Sequence, residues 1–129
     1  MKVVVDATLE CGGHAVGIIP RFMAQYVHPA LNEVVWTESM SDRKVKMREG
    51  TALAVALPGG VGTLDEFFET LTLAKLGLYG GKVIVVNHEG FYDRLRDLLD
   101  FYVETGMLDP VSRSLAVFVS SVEEFEKVI

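Results

Sequence analysis

The segment ALAVALPGGVGTLDEFFETLTLAK, residues 52–75, runs from an aliphatic stretch through a glycine-rich loop into an amphipathic one, and its reading decides the fold. Residues 52–57 are apolar without clear alternation, the pattern of a strand covered on both faces in a parallel sheet. Residues 63–78 carry Phe67, Leu71, Ala74 and Leu78 at helical spacing, so a helix follows the strand after one tight loop. That succession is the building unit of α/β layer folds.

Outward from this segment the same alternation repeats. AVGII (15–19), EVVW (33–36), KVIVV (82–86) and LAVFV (115–119) read as further strands, and four of the five runs lack clear alternation. Helices are expected over 2–11, 38–49, 91–104 and 121–128, the third carrying Phe91, Leu95, Leu98, Leu99 and Tyr102 and the last opened by Ser121. The expected fold class is α/β, a parallel sheet with helices on both faces, in one domain over residues 1–129. One feature is unusual: the chain opens on a helix that meets Cys11-Gly12-Gly13 before the first strand.

Composition narrows the function classes. Half of the 129 residues are apolar and 23% are charged, with a mean hydropathy of +0.30, which suits a globular core and excludes a disordered chain. Lys and Arg total 12 against 18 Asp and Glu, a net charge of −6, so nothing draws in a nucleic-acid backbone. Asp6 and Glu10 interrupt any apolar signal core, no run of about 18 apolar residues occurs, and Cys11 stands alone. The expectation is a cytoplasmic protein with no membrane partner. His14, His28 and His88 lack ligand spacing, so no metal is expected. No G-x-S-x-G occurs, which argues against acyl transfer, and Trp36, Phe67 and Phe68 read as core.

Chemistry concentrates in LPGGVGTLDE, residues 57–66, at the carboxyl end of a strand where open α/β sheets bind ligands. Gly59, Gly60 and Gly62 allow positive φ and close backbone approach, so that successive N–H groups make an anion site at a helix start, best suited to phosphate. No Gly-Lys-Ser/Thr follows and Asp65 takes the place of a third fingerprint glycine, so neither the P-loop motif nor the dinucleotide fingerprint is met, and neither an NTPase nor a dehydrogenase is indicated. Thr63-Leu-Asp-Glu66 also fits a capping box, and from spacing alone that structural role for Glu66 stays open. In MSDRKVKMRE, residues 40–49, Arg43, Lys44, Lys46 and Arg48 crowd one helix, as a solvated face or as an anion site.

With both segments placed, the chain resembles the LONELY GUY (LOG) family of cytokinin riboside 5′-monophosphate phosphoribohydrolases, often labelled lysine decarboxylases. The family motif P-G-G-x-G-T-x-x-E is complete as Pro58 to Glu66, and M-H-x-R-K stands as Met40-Ser41-Asp42-Arg43-Lys44. GIIPRF at 17–22 and N-x-x-G-[FY]-[FY]-D over Asn87 to Asp93 support it. The resemblance implies a Rossmann-like fold, no cofactor, and hydrolysis of the N-glycosidic bond of AMP or N6-modified AMP to free base and ribose 5-phosphate. Nothing marks a pyridoxal phosphate lysine, so the decarboxylase label is set aside. Glu66 and Arg43 would be catalytic; Gly59, Gly60, Val61, Gly62 and Thr63 would hold the 5′-phosphate, with Met40, Lys44 and Gln25 completing the substrate-binding set. A homodimer built on the helices after the glycine loop is also implied.

The chain departs from the family at Ser41, where the usual residue is His, and at Gln25, where relatives often place Glu. Met1 to Ala7 aligns with the middle of the family segment G-G-G-x-x-G-L-M-G-x-V-A-x-A, so roughly the first third of a usual member has no counterpart. The accompanying expectation is a sheet without the family's first strands and weak activity for this chain by itself. Two other readings stand beside the enzyme: a nucleotide or molybdenum-cofactor-type carrier of the same fold, and an inactive scaffold.

Overall fold

The computed structural model describes residues 2–129, and its contacts divide the chain into two compact units, one ending at Glu49 and one running from Gly50 to Ile129. Both have parallel strands and flanking helices, which is the α/β class that the hydrophobic pattern predicts. No described helix is long and apolar enough to cross a membrane.

In the first unit, α1 (Lys2–Glu10) buries Val5 and carries a Lys2–Asp6 ion pair one turn apart. Its end explains the Cys11-Gly12-Gly13 run. Gly12 takes φ +75 and donates to Leu9, while Gly13 donates to the Thr8 carbonyl at 2.8 Å, so the two glycines close a Schellman cap. Strands β1 (Val16–Pro20) and β2 (Glu33–Thr37) pair in parallel from Val16↔Glu33 to Pro20↔Thr37, with a 3-10 helix at Arg21–Tyr26 in the crossover. Asn32 starts the ladder, its Oδ1 accepting from the Ala15 N–H at 2.7 Å. Ser39 then opens α2 (Met40–Arg48), accepting from the Asp42 N–H and donating to the Asp42 carboxylate.

The second unit is a three-stranded parallel sheet in the order β3 (Leu53–Ala56), β4 (Lys82–Val86), β5 (Ala116–Val119). Val83, Ile84 and Val85 of the middle strand are 3%, 0% and 0% exposed, so both faces of KVIVV are covered, as its lack of alternation predicts. Helices α3 (Val61–Lys75) and α4 (Asp93–Glu104) join Val83 and Val85 in one core through Phe67, Leu71, Leu95 and Leu99. A short α5 (Pro110–Ser114) and a terminal α6 (Val122–Val128) complete the unit.

Several expected boundaries move for local reasons. The helix expected over 63–78 starts two residues earlier and ends at Lys75, because Gly77 takes φ +71 and Leu78 donates back to the Leu73 carbonyl at 2.8 Å. Leu78 therefore leaves the helix and is 71% exposed. Phe91 likewise precedes α4 and is exposed, and Tyr92, Leu95 and Leu99 form the buried seam. The pattern reading omitted α5, whose Asp109 cap and Pro110 at the first helical position are both start signals.

Replacing Ile84 by Ala removes buried volume at the centre of the sheet and should destabilise the protein by about 2–5 kcal/mol. Urea unfolding measures this, and a loss below about 1 kcal/mol would show that the site collapses or is not core.

Candidate active site

The glycine loop leaves β3 at Leu57 and enters α3 with Gly60 as its cap. A glycine has no side chain to cap a helix, and the first N–H groups of any helix have no intrahelical acceptor. The start of this 15-residue helix thus presents backbone donors and the positive end of its dipole with no side-chain cap upon them.

Two expectations about this loop are corrected. None of Gly59, Gly60 and Gly62 takes positive φ; the glycines that do are Gly12, Gly50, Gly77, Gly90 and Gly106. Their need is spatial instead. A methyl at Gly59 would collide with the Thr63 hydroxyl, whereas methyls at Gly60 and Gly62 would meet nothing within 4 Å. The last two glycines therefore keep a helix start bare toward open space. The Thr63–Glu66 capping box is also absent, since Thr63 is the third residue of α3 and donates its N–H to the Gly60 carbonyl at 3.0 Å. Capping does not explain Thr63 and Glu66. Both are half-buried and lie three residues apart, on one face of the first two turns.

The loop is tied from below. Tyr92, 3% exposed, donates its hydroxyl to the Leu57 carbonyl at 2.8 Å. Burial pushes this phenol above the ordinary tyrosine range, partly opposed by the Gly59 N–H facing the same oxygen. Asn87, at the end of β4, accepts the Tyr92 N–H on Oδ1 at 2.6 Å. These two residues belong to the N-x-x-G-[FY]-[FY]-D stretch, to which the sequence reading gave no role. A polar residue directly after a buried strand was the available signal.

The remaining candidates lie in the first unit. Arg43, in the first turns of α2, is half-buried and donates its Nε to the Ile18 carbonyl of β1 at 3.0 Å, which sets the plane of its guanidinium. Lys46 differs, forming an exposed pair with Glu49 at 2.6 Å. The basic run on α2 thus divides into an Arg held against the strand and a Lys on a solvated face. Lys44 is half-buried beside Arg43, Met40 begins the helix, and Gln25 is exposed on the 3-10 helix. Among the described residues no group of three or more His, Cys, Asp and Glu is placed to hold a metal ion.

The sequence was compared with known proteins. The family described as possible lysine decarboxylase matches residues 1–129. Cytokinin riboside 5′-monophosphate phosphoribohydrolase LOG1 of Arabidopsis thaliana is 33% identical over 129 residues, covering 98% of this chain and 61% of that protein. The phosphoribohydrolase of the same name from Mycobacterium tuberculosis is 33% identical over 126 residues, covering 96% and 67%. That of Rhodococcoides fascians is 35% identical over 126 residues, covering 95% and 64%. The chain spans between 55% and 67% of the length of such curated relatives. With a match along its whole length and the glycine loop complete, the chain belongs to the possible lysine decarboxylase family, which includes the LOG proteins.

Proposed function

We propose that the protein hydrolyses the N-glycosidic bond of a nucleoside 5′-monophosphate, AMP or an N6-modified AMP, releasing free base and ribose 5-phosphate. The observation that carries this reading is the helix start at Gly60, bare of any side-chain cap, with Glu66 two turns into the same helix. The names of the relatives agree with it.

In the proposed reaction the 5′-phosphate sits at the loop from Gly59 to Thr63, where the helix dipole and the first backbone N–H groups of α3 favour an anion. Holding the ester fixes the position of the ribose and so of its anomeric carbon. As the bond from that carbon to the base nitrogen breaks, its electron pair leaves with the base and positive charge develops on the sugar. The Glu66 carboxylate stabilises that charge and orients the attacking water. Water forms the new C–O bond and loses one proton, and the departing base gains one, so atoms and charge balance. On the family resemblance we assign Arg43 the second catalytic role, by charge stabilisation or substrate positioning, and Lys44, Met40 and Gln25 roles in substrate binding.

Glu66→Gln keeps the shape of the side chain and should lower kcat by about 10²-fold or more while the protein stays folded. Steady-state release of adenine measures this, and a folded, fully active variant would remove Glu66 from the chemistry. Binding of AMP without turnover by the unmutated protein would favour the carrier reading.

Gly62→Ala separates ligand from fold. The added methyl meets nothing, and alanine is the better helix former by up to about 1 kcal/mol, so stability should hold or rise. The same methyl would stand where the phosphate is proposed to sit, and KM for AMP should rise at least about tenfold. Unchanged KM would place the phosphate elsewhere.

Adenosine lacks the anion, so its kcat/KM should lie about 10²-fold or more below that of AMP. Equal values would refute a phosphate role for the loop. We also propose a homodimer: Phe67 and Leu71 of α3 are buried, but Phe68 and, beyond the helix, Leu76 and Leu78 remain exposed. Light scattering should give twice the chain mass at micromolar concentration, and a monomer would contradict it.

A further inference from the structure

The turn after β4 is built on more exact terms than a surface connection requires. Asn87 is 3% exposed and uses its backbone and its side chain at once. Its N–H donates to the Val119 carbonyl of β5 at 2.7 Å, its Oδ1 accepts from the Tyr92 N–H at 2.6 Å, and its Nδ2 donates to Asp93 Oδ1 at 2.8 Å. A carboxylate only accepts, so Asp93 determines which way the amide faces. Between these residues Glu89 takes φ 50 and Gly90 φ 74, two consecutive left-handed residues. Gly90 is required twice over, because a methyl there would also lie 2.6 Å from the Asp93 carboxylate. The Phe91 ring meets the Tyr92 ring edge to face, with centroids 4.9 Å apart.

The product of this construction is the placement of one hydroxyl. Tyr92 Oη donates to the carbonyl of Leu57 at 2.8 Å, directly before Pro58 and the loop glycines. A loop with three glycines in four positions has large conformational freedom, and its proposed ligand needs donors held to within a fraction of an ångström.

We infer that Tyr92 is a positioning residue for the anion-holding loop: set by Asn87, its hydroxyl fixes the backbone of Gly59 to Thr63 in the arrangement that receives a phosphate. The inference rests on the phosphate reading of the loop. A tyrosine that merely fills the core would affect global stability and leave the loop and its affinity as they are.

Tyr92→Phe keeps the ring and removes the hydroxyl. In the ligand-free protein, amide hydrogen exchange of residues 57–63 should become about tenfold faster, with exchange in β4 unchanged. Calorimetry with ribose 5-phosphate should give a Kd about tenfold higher, and AMP turnover a raised KM with kcat within about threefold. Loop exchange at the wild-type rate, or an unchanged Kd, overturns the inference. If the wild-type protein binds no ribose 5-phosphate, the phosphate reading fails, and this inference with it, whereas faster loop exchange in the variant would still show the tether alone. Should Tyr92→Phe not fold, the Tyr92 hydroxyl of the wild type decides: a hydroxyl proton slowed enough in exchange to be seen by NMR supports the tether, and exchange at the solvent rate overturns it.

Discussion

The parallel register of β3, β4 and β5 is the constraint on which the second unit depends. Ala56 pairs with Val85, and Val86 with Val119, so the strands end along one edge, and the next residues of β3 and β4, Leu57 and Asn87, both emerge there. That register is held by the burial of Val83, Ile84 and Val85, because a slip of one residue would exchange the faces of every side chain. The glycine loop and the Asn87 turn can meet through Tyr92 only because the ladder delivers both to the same edge. Thus a local hydrogen bond across 35 positions of sequence follows from an apolar strand.

Much of this was legible because it is periodic or local. The five strands follow from their aliphatic runs, and KVIVV lies where it was read, at Lys82–Val86. Ser121 opens α6 as its position before an acidic turn predicts, accepting the Glu124 N–H. Local signals also misled. Thr63 and Glu66 have capping-box spacing, but a box must lie at a helix end, and the helix begins two residues earlier at Val61. The three loop glycines suggested positive φ, whereas two face open space and one faces Thr63. The role of Tyr92 was not legible at all, since its partner is fixed by tertiary packing and no spacing rule relates residues so far apart.

For the candidate site, the sequence pointed to residue types and the structure supplies their settings. Arg43 could not be told from Lys46 by charge alone; its Nε bond to the Ile18 carbonyl separates it from a lysine paired at the surface. Glu66 could not be told from a cap; the Gly60 start removes that role and leaves a half-buried carboxylate on the first turns of a helix.

The central claim is that the start of α3 holds a phosphate so that Glu66 addresses the sugar attached to it. A crystal structure of the Glu66→Gln protein with intact AMP tests this most directly. The account predicts phosphate oxygens within hydrogen-bond distance, about 2.7–3.2 Å, of backbone nitrogens between Gly59 and Thr63, with the residue 66 side chain beside the anomeric carbon. A phosphate bound elsewhere, or a ribose turned away from residue 66, would contradict it.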